Sequence, residues 1–286
     1  MDNLDHRLSL VACSLVCRSW MFATSRHLFR TIVSRKDRSD IGSSKHMKIN
    51  SVDALLVFLA TCERARNAVQ DLSFKSFNMV WGSGTATLTP EVLLWHLSRL
   101  PRLKKLVLDH VSFGEDVGNN TTATTQSQVQ LLLPAPLHPA LRPPRAFKPT
   151  DFKLELDLLC ISHIDGFGWQ SSHFARLLGG FTTIKALAVN SGLTAPNIKL
   201  KPQCMDREDL IRVETLSVDC VYILDLLSAS VDLESVTEVS LRPMWCDQPF
   251  VTTRAFLHKL TNAKYAAFDI PWAWWVLDQG FSGAFS

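Results

Sequence analysis

One apolar pattern recurs along this chain of 286 residues and limits the folds that it can adopt. In residues 103–108 the pattern reads Leu-Lys-Lys-Leu-Val-Leu, with apolar residues at its first, fourth and sixth positions. Alternation with a period of two is typical of a strand that buries one of its faces. Clear copies lie at 69–74, 103–108, 184–189, 213–218 and 236–241, and weaker copies lie at 153–156 and 265–268.

Helical patterns fill the intervals between these predicted strands. The clearest begins at Thr89, which suits an N-cap, and continues with Pro90 at the first helical position, where its missing N–H costs nothing. Ser51 is a second candidate N-cap. It precedes an apolar stripe made of Leu55, Leu56, Leu59 and Cys62. Further helices are expected within 174–178, 221–227 and 250–260.

A short strand, a turn and a helix that recur about every 23 to 35 residues favour an irregular, leucine-rich-repeat-like solenoid of parallel strands and helices. The alternative is a non-repetitive α/β domain whose strands simply alternate with helices. The predicted organisation has three parts. Residues 1–34 form a short helical segment, 35–50 a polar basic linker, and 51–286 the solenoid.

Two stretches of the predicted solenoid depart from the repeat. Residues 114–150 are rich in Gly, Asn and Thr and then in Pro, which prevents helix and ladder formation, so an exposed insertion loop is expected there. Residues 271–277 contain three of the eight tryptophans. These side chains either close the open end of the solenoid core or bind a partner.

Composition bounds the functional classes. With 47% hydrophobic and 20% charged residues, the chain can bury a sizeable core. A formal net charge of +3 provides no global field for nucleic acid or an anionic membrane, so either interaction would need a local patch. No apolar run reaches the ~20 residues of a membrane-spanning helix. Neither partner class is therefore predicted.

Cysteine usage and the amino terminus point to a location inside the cell. The seven cysteines are scattered and do not resemble a disulfide framework, so reduced thiols are expected. The first residues lack the pattern of a secretory signal. We predict an intracellular protein, in the cytoplasm or the nucleus.

Motifs for catalysis are missing from the sequence. Residues 166–171 contain two of the three glycines of a dinucleotide fingerprint, and a turn is the simpler interpretation. Cys13 with Cys17, or Cys160 with His163, could supply metal ligands, but buried thiols are favoured because zinc sites usually combine close pairs. The sequence thus predicts a non-catalytic protein without a cofactor or metal. An enzyme whose site is assembled from distant residues ranks behind it.

The first thirty residues carry a helical pattern of their own. Apolar residues recur there at spacings of three and four, which predicts two short packed helices. Residues 10–20 read Leu-Val-Ala-Cys-Ser-Leu-Val-Cys-Arg-Ser-Trp, and 26–29 read Arg-His-Leu-Phe. This order resembles the second half of an F-box, especially the versions common in mushroom-forming fungi.

The resemblance implies a function and a set of contact residues. F-box proteins dock on the Skp-type adaptor of a cullin–RING ubiquitin ligase, and many carry leucine-rich repeats that receive a protein substrate. The matching positions, which would contribute to adaptor binding, are Leu10, Leu15, Val16, Cys17 and Trp20. The resemblance therefore implies a substrate-recruiting receptor that brings an unknown protein substrate close to the ligase.

An F-box normally begins with a helix that contains Leu-Pro-x-Glu, and residues 1–4 match only the end of such a helix. We therefore expect the chain as printed to bind the adaptor weakly or not at all. The alternative is a solenoid protein-binding module that no longer engages a ligase, because the first F-box helix is missing.

Overall fold

Helices separate most consecutive strands of the described residues, and every strand pair among these residues is parallel. Parallel neighbours need a crossover connection, which a helix can supply. The computed structural model describes residues 24, 26–35, 52–75, 89–111, 113, 153–162, 171–190, 210–219, 223–242 and 249–268. Within these ranges the fold is α/β, with one open sheet of nine strands.

Most of the strands are short. They are β1 (Thr31–Arg35), β2 (Asp71–Lys75), β3 (Lys105–Asp109), β4 (Leu154–Ser162), β5 (Phe181–Asn190), β6 (Ile211–Val218), β7 (Val231–Asp232), β8 (Glu238–Leu241) and β9 (Tyr265–Phe268). The helices are α1 (Val52–Thr61), α2 (Glu63–Ala68), α3 (Pro90–Ser98), α4 (Ser171–Leu178), α5 (Leu224–Ser230) and α6 (Pro249–Leu257). A 3-10 turn at Leu233–Ser235 joins β7 to β8.

The strands lie in the sheet in the same order as in the chain. The path runs from β1 through β6 to β8 and β9, and the two-residue β7 pairs with the start of β6. All five clear copies of the apolar pattern therefore share one parallel sheet, as predicted from the sequence. Consecutive helices contact one another along the same path, from α1 through α3, α4 and α5 to α6.

Two ladders of residues cross the sheet on the side of the helices. They are buried from β2 to β8, while Ile32 and Phe268 at the ends are half-buried and Ala266 is exposed. The first ladder is Ile32, Leu72, Leu106, Leu159, Leu187, Leu216, Val239 and Ala266. The second is Ser34, Phe74, Leu108, Ile161, Val189, Val218, Leu241 and Phe268. Most of these side chains join apolar residues of the helices in one core. Burial of this apolar area is the main favourable contribution to folding.

The register corrects the prediction for β4. Leu106 of β3 and Leu187 of β5 both pair with Leu159, so the pattern here occupies Leu156, Leu159 and Ile161 rather than residues 153–156. The β4 strand also begins with a bulge between Leu154 and Glu155. The extra residue at this bulge is Thr182 of β5, because Leu154 pairs with Phe181 and Glu155 pairs with Thr183. The earlier leucines resembled the repeat because Leu154 and Leu156 flank the polar Glu155 in the sequence.

Strand β1 was not predicted from the sequence. It pairs with β2 along its whole length, although the sequence assigned its residues to the helical segment and the start of the basic linker. Phe29, just before β1, packs on Phe58 of α1 with ring centroids 5.9 Å apart. The sheet therefore begins at Thr31, before the position at which the solenoid was expected.

Helix α3 begins as predicted. The hydroxyl oxygen of Thr89 accepts a hydrogen bond from the backbone N–H of Val92 at 3.4 Å, and Pro90 occupies the first turn. In α1, the predicted core stripe is buried, but the helix ends at Thr61, so Cys62 lies in the link to α2.

Helix α4 meets β5 at a close approach to α3. A Cβ atom at Gly180 would lie 2.3 Å from Cδ2 of the buried Leu94, so only glycine fits there without a shift of that side chain. The predicted insertion loop at 114–150, the tryptophan-rich end and nearly all of the polar linker lie outside the described residues.

Candidate interaction surface

The sheet has a second face, opposite the helices, which we call the outer face. Successive strand residues point to opposite sides, so residues between the two ladders point outwards. The central row of the outer face consists of Val33, Ser73, Val107, Cys160, Ala188, Ser217, Ser240 and Ala267. No side chain in this row is larger than valine.

The size of these side chains determines how closely a partner can approach. Ser, Ala, Cys and Val do not project far beyond the backbone, so this row forms a shallow floor across eight strands. Most of the row is half-buried, while Val33 at one edge is 48% exposed. The Ser73 hydroxyl, between Val33 and Val107, is shielded from solvent and has no hydrogen-bond partner among the residues that the structure describes.

Polar side chains border the floor at the amino ends of the strands. The Thr31 hydroxyl donates to Asp71 at 3.1 Å. Lys185 lies 2.7 Å from the carboxylate of Asp157. The hydrogen bond from Lys185 lowers the pKa of the Asp157 carboxyl, and the same bond raises the pKa of the Lys185 ammonium. This border can therefore present fixed charges to a partner.

A hydrogen-bonded network borders the floor at the carboxyl ends. The Asn190 carboxamide N–H group donates to the Ser162 hydroxyl at 3.4 Å, and the Cys160 thiol lies 3.5 Å from the same oxygen. The backbone N–H of His110 donates to the carbonyl of Ser162 at 3.1 Å. His110 Nδ1 lies 3.0 Å from a carboxylate oxygen of Asp109. The network thus connects β3, β4 and β5.

His110 has the only positive φ of any non-glycine residue in the described ranges, at 54°. Histidine adopts this left-handed conformation less often than the right-handed one, and such residues are worth examining for function. The conformation lets the chain leave β3 while the ring remains beside Asp109. It fixes one donor and one acceptor group at the edge of the floor.

This arrangement is suited to recognition by hydrogen bonding. Its carboxylate, imidazole, hydroxyl and carboxamide groups lie at the carboxyl ends of parallel strands, where α/β proteins commonly bind ligands. Within the described part of the chain, Cys160 has no histidine or carboxylate within hydrogen-bonding distance. No group of three His, Cys, Asp or Glu side chains in the described ranges is placed to hold a metal ion, and His163 lies outside them.

The predicted adaptor-binding residues lie outside the described part of the chain. This applies to Leu10, Leu15, Val16, Cys17 and Trp20. The first described residue, Thr24, is buried, and residues 26–28 form a helical turn. Phe29 then packs against the core. The end of the F-box-like segment is therefore continuous with the sheet.

The comparisons with known proteins do not assign the chain to a family. No protein-family model matches the chain, and no curated protein or solved structure matches it either. Among the described helices, none is both long and apolar enough to cross a lipid bilayer.

Sequence reasoning missed the carboxyl-end network, although a signal for it was present. Asp109 and Asn190 each follow directly after the third apolar residue of a clear copy of the pattern, whereas Ser162 follows Ile161 of β4, where the copy had been placed at 153–156. Because the copies are parallel and in register, residues at this one position must line up at one edge of the sheet. A search for polar residues at fixed positions of the pattern would have found Asp109 and Asn190, but not Ser162.

Proposed function

We propose that the chain is a protein-interaction module that recruits a protein substrate on the outer face of its sheet. The observation that carries this proposal is the row of small side chains across eight parallel strands, bordered by polar groups at both ends of the strands. A wide, shallow surface of this kind suits another protein better than a small ligand, which usually binds in a concave pocket.

The finer fold that we propose is an irregular, leucine-rich-repeat-like solenoid. Strand order that follows chain order supports it, since each unit then contacts the preceding and following units. The repetition of one register position by leucine or a similar residue in successive strands also supports it. In such a fold the strand face is the usual binding surface, which is consistent with the row of small residues.

The outer face can be tested with one altered row and one matched control. Ser217→Arg with Ser240→Arg places two large cations on the floor. Asp225→Arg places a cation on exposed residue 225 of helix α5 instead. Partner proteins captured by the unaltered chain should be lost with the first variant and retained with the second. Equal retention by both variants, with unchanged thermal melting, would exclude the outer face.

The resemblance to an F-box extends the proposal to a substrate receptor of a cullin–RING ubiquitin ligase. We propose that Leu10, Leu15, Val16, Cys17 and Trp20 contribute to docking on a Skp-type adaptor. The buried Thr24 and the packed Phe29 support this, because they connect that segment to the sheet. Substrate and ligase would then be held at a high effective concentration.

A titration with purified adaptor tests this extension. Adding a Leu-Pro-x-Glu helix before Met1 should strengthen adaptor binding at least tenfold, or about 1.4 kcal/mol. Trp20→Ala in the extended chain should remove that gain. If the extended chain is folded by circular dichroism and still does not bind, the alternative is favoured. The protein would then be a binding module that does not engage a ligase.

A further inference from the structure

Positive charge is concentrated at one part of the edge formed by the amino ends of the strands. Residues 99–105 read Arg-Leu-Pro-Arg-Leu-Lys-Lys, with four cations and no carboxylate. They form the turn from α3 into β3. Arg66 of the neighbouring helix α2 adds a fifth cation. We call Arg66, Arg99, Arg102, Lys104 and Lys105 the basic edge patch.

Backbone hydrogen bonds connect the turn at 99–105 to the link between helix α2 and strand β2. The N–H groups of Lys104 and Lys105 both donate to the carbonyl of Gln70, at 2.7 and 2.9 Å. One guanidinium nitrogen of Arg66 donates to the carbonyl of Ala60 at 3.3 Å, which holds this side chain against α1. The patch is therefore built on fixed backbone rather than on independent surface side chains.

Arg66 and Arg99 are close enough to repel each other. Partial burial and the charge of Arg66 together lower the pKa of the Arg99 guanidinium. That guanidinium also lies over the ring of Trp95, with its central carbon 5.0 Å from the ring centroid. When a guanidinium stacks on an aromatic ring, its N–H donors lie in its own plane and point outwards. Two like charges held together in this way favour an anion between them.

The nearby carboxylates offset only part of the charge of the patch. The pKa of the Asp157 carboxyl is lowered first by its hydrogen bond to Lys185, and the charges of Lys104 and Lys105 lower it further. Among the residues that the structure describes, no carboxylate lies within ion-pair distance of any of its five side chains. Asp71, in register with Lys105, accepts a hydrogen bond from Thr31, and Asp157 is paired with Lys185. The positive field of the basic edge patch is therefore only partly compensated, and the uncompensated part is available to a partner.

We propose that the basic edge patch binds an acidic, extended segment of a partner protein, with Asp and Glu carboxylates between its arginines and lysines. This surface is separate from the floor of the outer face, and it requires neither a ligase nor an adaptor. It is a local patch of the kind that the small net charge of the whole chain does not reveal.

The surroundings favour a short peptide segment over nucleic acid. Exposed Glu155, Glu214 and Glu238 lie on β4, β6 and β8, further along the same sheet. Neighbouring strands are about 5 Å apart, so these carboxylates begin within two strands of the patch. A long polyanion that continued across the sheet would meet them, whereas a short acidic segment would end before them. Screening acts over about 10 Å, so this repulsion is felt locally.

The test uses the full chain and fluorescence anisotropy of a labelled peptide of alternating Glu and Ser, about six residues or 20 Å long when extended. The altered chain carries Arg102→Glu, Lys104→Glu and Lys105→Glu. The matched control carries Arg212→Glu, Lys259→Glu and Lys264→Glu, which change the net charge equally at exposed positions elsewhere. We expect the patch variant to bind the peptide at least tenfold more weakly and the control to stay within about twofold.

Three results would overturn the proposal. The first is that the unaltered chain does not bind the Glu–Ser peptide at low salt any better than a Gln–Ser peptide. The second is an equal loss of binding in both triple variants, which would indicate net charge rather than the patch. The third is tighter binding of a single-stranded oligonucleotide with the same number of charges, which would assign the patch to nucleic acid.

Discussion

The two faces of the sheet differ although the same strands form both. On β6, Leu216 has no exposed surface, while the adjacent Ser217 is half-buried on the outer face. The helix-covered face contains large apolar side chains at one repeated register position, and the outer face contains small ones. This contrast indicates that packing determines the first set, whereas the second is free to serve recognition.

The largest expected effect tests this contrast within one strand. Leu216→Ala should lower the free energy of unfolding by about 2–5 kcal/mol, because it removes buried methyl groups and leaves a cavity. Ser217→Ala, one residue away, should change it by less than about 0.5 kcal/mol. Urea titration of both variants measures the difference. Similar losses for the two substitutions would show that the outer face is also core.

A second substitution tests packing between the helices and the sheet. Gly180→Ala should destabilise the fold by about 1–3 kcal/mol, because the new Cβ would force the buried Leu94 side chain out of its position. Repeating the substitution in a Leu94→Ala background provides the control. The cost of the alanine at 180 should fall there, since the clashing atoms are gone. An unchanged cost in thermal melting would point to the backbone instead.

A smaller effect is expected at the start of α3, within the helical layer. Thr89→Ala removes the acceptor for the N–H of Val92 and should cost about 1 kcal/mol. Thr89→Ser keeps a hydroxyl and should retain most of the stability. If both variants melt alike at a lower temperature, the methyl group of Thr89 matters more than its hydrogen bond.

The smallest effect concerns the exposed pair Asp157–Lys185 on the outer face. The hydrogen bond from Lys185 lowers the pKa of Asp157, so its stabilisation is present above the ordinary carboxyl pKa and is lost as pH falls through the lowered value. The raised pKa of Lys185 means that its share is lost as pH rises through that value. Melting temperatures of Asp157→Asn and the unaltered chain should therefore differ near neutral pH and converge in acid. A constant difference at all pH values would contradict this.

The residues of the helix-covered face were largely predictable from the sequence, because apolar residues recur there with one period. The pattern identified five strands that share the sheet, and it failed where that period was obscured. In β4, Leu158 directly precedes Leu159, so the alternation is hidden. In β1, the second inward position is the polar Ser34, which is buried. The inward-facing residues of β4 and β1 can be assigned only when the neighbouring strand is known.

The outer surfaces were less predictable, because they depend on register between distant residues. Asn190 and Ser162 are 28 residues apart, and their hydrogen bond depends on how β4 and β5 align. The electrostatic interaction between Arg66 and Arg99 likewise depends on how helix α2 lies beside the turn at 99–105. Composition and local spacing do not contain this alignment. The predicted adaptor residues lie outside the described ranges, so their role stays a prediction.

The order of the strands has a consequence for how the protein loses structure. Among the described residues, β5 is held by neighbours on both sides, whereas β1 and β9 each pair with one strand only. Detaching an end strand breaks one interface, but opening the middle breaks two, so fluctuations should begin at the ends. Amide hydrogens in β9, where Tyr265 is 69% exposed, should exchange with solvent well before those of β5. Partial unravelling from either end would leave the central ladder of leucines assembled.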